Sequence, residues 1–150
     1  MNPARRISTI DTHTAGGPTR IVLDGLPPLT GATAAERMGV FRTEHDAIRT
    51  FLLNEPRGHR GMYGAVISPS ADPDVDLSVF FMTTGGYLPT CVHGSIGVAT
   101  AMLAEGRLQP RPDGNLYFDT PGGRMPLTPR YQGGALAAIS LRTQPGTVTQ

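Results

Sequence analysis

Lysine is absent: all 13 basic residues of this 150-residue chain are arginine. Schiff-base and lysine general-base chemistry are therefore excluded within it. Cysteine occurs once, at Cys91, so neither an internal disulfide nor a cysteine-cluster zinc site can form. His13, His45, His59 and His93 show no paired spacing of the kind a zinc motif needs, and no metal site is expected. No apolar run approaches the roughly 20 residues of a membrane span, and residues 1–10 lack the apolar segment of a signal peptide. A cytoplasmic location with no membrane partner is expected. An excess of one charge is lacking too. Thirteen basic against 12 acidic side chains leave a net charge of +1 with no block of like charges, so nothing electrostatic points to nucleic acid. Hydrophobic residues at 39% and charged residues at 17% exclude disorder on composition, and one domain over residues 1–150 is expected. Small-molecule or protein partners remain.

Glycine (19) and proline (14) are abundant, which suits short strands joined by tight turns better than a helical bundle. Residues 6–13 and 19–23 read as two strands around the Ala15-Gly16-Gly17-Pro18 turn. Thr33 and Glu36 stand three apart as a capping box, and Ala34, Met38, Phe41, Ile48 and Leu52 follow at helical spacings. That predicts one helix ending before Pro56. Residues 62–68 and 75–82 read as strands, the second apolar enough to be buried on both faces. Residues 96–104 are apolar almost all the way round, which predicts a helix buried on every side with strands wrapped around it. Residues 116–120, 125–128 and 136–142 complete the strands around a Pro121-Gly122-Gly123 turn, and residues 144–150 form a polar tail. The fold class expected is α+β.

Cys91 lies where a Gly/Pro loop turns into that buried helix, so the unpaired amides of Val92, His93, Gly94 and Ser95 should converge near its sulfur. A helix start lowers a thiol's pKa toward neutrality and holds a carboxylate. A thiol base and an acid substrate would then share one site. The alternative is that a lone cysteine is a small buried hydrophobe. His93 either holds the thiolate, binds substrate or is a simple hydrogen-bonded side chain. The loop Arg57-Gly58-His59-Arg60-Gly61 either contacts an anion or partner or is solvated, and Asp11, Thr12, His13 and Thr14 suit turn hydrogen bonding.

The run Gly85-Gly86-Tyr87-Leu88-Pro89-Thr90-Cys91-Val92-His93-Gly94-Ser95-Ile96 resembles the catalytic-cysteine motif of the proline racemase family, which includes hydroxyproline epimerases and trans-3-hydroxyproline dehydratases. Asp11-Thr12-His13-Thr14-Ala15-Gly16-Gly17-Pro18-Thr19-Arg20 and Glu55-Pro56-Arg57-Gly58-His59-Arg60-Gly61-Met62-Tyr63-Gly64 are similar to its two other N-terminal motifs, in the same order. The resemblance implies a cofactor-independent enzyme of the diaminopimelate-epimerase-like fold, two lobes with the site between them. Cys91 would be one of two opposed thiols acting at the α-carbon of a proline-type amino acid. By the same likeness Val92, His93, Gly94 and Ser95 would bind the carboxylate, with Tyr63 and Leu88 as pocket walls. The chain corresponds to the N-terminal lobe, so a second copy or another chain would supply the other lobe and its cysteine. Gly17 stands where the family has glutamate, Gly61 where it has aspartate and Val92 where it has glycine. A dehydratase-type member and a non-catalytic or truncated homologue that binds a small molecule or partner are the alternative implications.

Overall fold

The computed structural model describes residues 6–143, so the polar tail read from the sequence lies outside the described residues. Strand β1 (Ser8–Thr14) folds back antiparallel on β2 (Gly17–Asp24). Ala15 and Gly16 turn the chain with φ of 49° and 86°. Two consecutive positive φ values give the tight turn whose twist matches paired strands. Thr33 then caps α1 (Ala34–Glu44) as the expected capping box, and α2 (Asp46–Leu53) leads toward β3 (Tyr63–Ser68). Strand β4 (Leu77–Thr83) is buried from Leu77 through Met82, as its apolar run requires, and makes a hairpin with the short β5 (Gly86–Leu88). Helix α3 (Val92–Ala104) crosses to β6 (Leu116–Thr120), which is followed by β7 (Gly123–Gln132) and β8 (Ala135–Leu141).

The strands form one mixed sheet in the order β1-β2-β3-β4-β6-β7-β8, with β5 beside β4. The β2–β3 and β4–β6 pairs are parallel and each is joined through helix; the other pairs are antiparallel. Successive side chains of a strand point to opposite faces, and this alternation builds two cores. Ile21, Ala65, Val79 and Phe81 pack with Val98, Ala99, Ala101 and Met102 of α3. Their neighbours Val22, Val66, Phe80 and Met82 pack with Phe41, Leu52 and Leu53 of α1 and α2. Both ends of the sheet, β1 and β8, contact α3, so the sheet curls about that helix. No helix among the described residues is long and apolar enough to cross a membrane.

Three sequence expectations need correction. The single helix over residues 34–52 is two helices, broken at His45 (φ −132°, ψ 15°), because Asp46 turns to pair with Arg49 and to accept from Tyr87. The final strands include a longer member than expected: β7 runs past Pro126 and Pro129 to Gln132, pairing with β6 and β8 in turn. The stretch before Cys91 holds a strand, β5, too short for any periodicity to show.

Candidate functional site

Cys91 is the N-cap of α3, extended at φ −148° and ψ 109°, and 6% exposed. Two hydroxyls hold this first turn. Ser95 Oγ donates to the Cys91 carbonyl at 2.7 Å, alongside the Ser95 N–H at 2.9 Å, the first backbone bond of the helix. Thr14 Oγ1, from the end of β1, donates to the His93 carbonyl at 2.9 Å. The amides of Val92, His93 and Gly94 lie ahead of that first bond, where helix geometry leaves donors free for an anion.

The sulfur lies 3.5 Å from Nδ1 and 4.0 Å from Nε2 of His93. That imidazole meets the Tyr63 ring edge-on with centroids 4.4 Å apart, and it fills the space over Gly17, where a Cβ would stand 3.1 Å from His93 Cδ2. Gly94 is wedged between Cys91 and Phe81: a Cβ there would lie 3.0 Å from both Sγ and the ring. Val92 is 49% exposed, one of three large exposed apolar side chains among the described residues with Phe51 and Tyr131. Tyr63 and Leu88 both pack, half-buried, against the cluster that contains Cys91.

Burial pushes the Cys91 thiol above its ordinary value, and the Gly94 amide opposes this only in part. The helix start alone predicts a thiol lowered toward neutrality. Burial in the core around α3 acts against that expectation by desolvating the thiolate.

The structure thus brings Cys91, Val92, His93, Gly94, Ser95, Tyr63 and Leu88 to one end of α3, with the Ser95 hydroxyl turned inward to the backbone. The basic loop makes contacts within the chain. Arg57 stacks over Phe51 at 3.6 Å, its carbonyl accepts from Arg20 Nη1 at 2.7 Å, and His59 bonds the neighbouring Arg60 carbonyl. Asp11 also serves structure, taking both oxygens to Arg20 at 2.9 and 2.7 Å. Among the described residues no group of three His, Cys, Asp or Glu side chains is gathered to hold a metal.

Two contributors escape sequence reasoning. Thr14 is one, since only the fold brings it across 79 positions to His93. Gly122 is the other: its N–H donates to the Pro89 carbonyl at 2.9 Å, and a side chain there would run into Thr90, one residue ahead of the cysteine.

Comparison with known proteins finds relatives of the chain. The proline racemase family profile matches residues 9–150. The 4-hydroxyproline 2-epimerase of Streptosporangium roseum is 38% identical over 146 residues, 97% of this chain and 44% of that protein. The 4-hydroxyproline 2-epimerase of Paracoccus denitrificans is 42% identical over 137 residues, 91% of this chain and 41% of that protein. A hydroxyproline epimerase from Agrobacterium vitis, solved with bound trans-4-hydroxy-L-proline, superposes with a TM-score of 0.81 at 22% identity, over 94% of this chain and 42% of that one. The likeness to that structure is one of fold. The chain spans about two fifths of the length of these relatives.

Proposed function

The chain belongs to the proline racemase family, and on that premise we propose that it moves a proton at the α-carbon of proline or hydroxyproline, without a cofactor, together with a second lobe from another chain or a second copy. In this reading it is the N-terminal lobe of a two-lobe, diaminopimelate-epimerase-like fold, and α3 is the lobe's central helix. The observation that carries it is the placement of the lone thiol at the start of α3, beside three amides that precede the first helical hydrogen bond.

Substrate carboxylate sits on the Val92 and His93 amides, with the Gly94 amide shared between it and the Cys91 sulfur, and these donors also offset charge as the α-carbanion forms. Ser95 keeps the turn in shape through its bond to the Cys91 carbonyl. Tyr63 and Leu88 wall the pocket, and His93 lies between Tyr63 and the sulfur. One thiolate removes the α-proton and becomes a thiol, leaving the electron pair on carbon. The opposed thiol gives its proton to the other face and becomes a thiolate. Such a pair needs one protonated member, and burial, which raises Cys91, suits it to that part.

The test is exchange of the α-proton of proline and of trans-4-hydroxyproline for deuterium, using the chain in its associated form. Exchange that disappears in Cys91→Ser is expected; no exchange by the associated chain overturns the reading. A second reading, a non-catalytic homologue, is favoured by Gly17, which leaves His93 without a neighbouring carboxylate at that position. It predicts substrate binding without exchange.

A further inference from the structure

Strand β1 ends in Thr14, whose hydroxyl reaches the carbonyl of His93 at 2.9 Å. That carbonyl and the Gly94 N–H are opposite ends of one planar peptide. The sulfur lies beside Gly94, where a Cβ would stand only 3.0 Å from Sγ, and the Gly94 amide is the backbone donor that favours its thiolate. With the thiol protonated the sulfur makes no formed cap bond; a thiolate is a far stronger acceptor and draws the same donor in. Thr14 therefore donates to the far end of the amide that the thiolate would accept from. Hydrogen bonds at the two ends of an amide polarise one another, and the outer one also fixes the direction of the inner one.

We propose that Thr14 is a positioning residue for Cys91, acting through the peptide between His93 and Gly94. The inference takes Cys91 as the reacting thiol of the function proposed above, but its consequence is read in the thiol itself. Removing the Thr14 hydroxyl leaves the 93–94 amide less polarised and less well aimed, which disfavours the thiolate.

The groups around the sulfur are few. His93 of α3 offers its two ring nitrogens, and Tyr63 of β3 stands edge-on behind that ring. Phe81 of β4 is apolar and packs on Gly94. On β1, Thr12 and Thr14 lie on the partly buried face, whereas Asp11 and His13 lie on the exposed one, Asp11 paired with Arg20. Apart from Thr14 itself, the variants below replace none of these neighbours.

Because Cys91 is the lone cysteine, alkylation by iodoacetamide as a function of pH reports its ionisation directly. Thr14→Val keeps the shape and deletes the donor; Thr14→Ser keeps the donor. The Val variant should move the alkylation midpoint up by about half a pH unit, making the reaction roughly threefold slower below it. The Ser variant should keep the parent midpoint. An unmoved midpoint in Thr14→Val, or an equal shift in Thr14→Ser, overturns the proposal. Should the Val variant fail to fold, the unaltered chain supplies the test by nuclear magnetic resonance. The His93 carbonyl and Gly94 amide resonances should both titrate with the thiol, and a flat His93 carbonyl overturns the inference. A shifted midpoint without α-proton exchange overturns the proposed function and leaves this relay standing; exchange without the shift does the reverse.

Discussion

Gly94 shows how little room the cysteine end of α3 allows. A methyl group there would press on Sγ and on the Phe81 ring, each at 3.0 Å, and both partners are buried. Alanine is the better helix former by about 1 kcal/mol, yet overpacking a filled core costs about 1–3 kcal/mol. Gly94→Ala should therefore lower the unfolding free energy measured in urea by a net of about 1 kcal/mol and displace the sulfur, slowing its alkylation; an equally stable variant would show that the pocket yields. The position of Cys91 at a helix start is legible in the sequence, because a Gly/Pro loop and an apolar stretch meet there. The direction of its ionisation is not, since that depends on Phe81 from β4 and on the core around α3, brought in only by the fold.

Among elements, the junction of α2 with the β4–β5 hairpin decides where the Cys91 loop begins. Arg49 is 8% exposed and donates from Nε and Nη2 to both Asp46 oxygens, while its Nη1 donates to the Thr83 and Thr84 carbonyls at 3.0 and 2.7 Å. Tyr87 of β5 donates to Asp46 at 2.6 Å. The Arg49 bonds, then the Tyr87 bond, hold Asp46 down from 3.8 to about 2. A carboxylate lowered on folding contributes stability above its unfolded value and loses it as pH falls through its folded value. Asp46→Asn should thus be less stable than the parent by about 1 kcal/mol near neutrality, a figure kept small because Asp46 is 41% exposed. The difference should close between the ordinary value of 3.8 and about 2, as read by denaturant unfolding at each pH; a gap that persists at the acid end would assign the loss to packing. The capping box at Thr33 is legible because it is local, its two members three positions apart. The break at His45 is not, because Tyr87, which secures Asp46, lies 41 positions away.

At the scale of the whole molecule, α3 packs one face on the curled sheet and leaves Thr100, Ala104 and, at the end that carries Cys91, Val92 (49% exposed) open, so it is not buried on every side as its apolar run predicted. A branched apolar side chain left in water costs free energy that burial against a partner would recover. Strands β1 and β8, the two ends of the sheet, each pair on one side alone among the described residues. These features suit the proposed second lobe, and the relatives, more than twice this chain's length, have the residues to build one. Sedimentation should accordingly find the chain as a dimer, or in complex with another polypeptide when recovered from its native extract, rather than at its single-chain mass of 15.9 kDa. Val92→Glu places a charge on that face and should weaken the association, while thermal unfolding of the separated chain changes little because the side chain is half in solvent. Loss of association and loss of α-proton exchange in step would tie the contact to the site. A chain that stays monomeric at every concentration and recovers no partner would remove the opposed thiol, leaving Cys91 with no group to deliver the proton on the other face of the α-carbon.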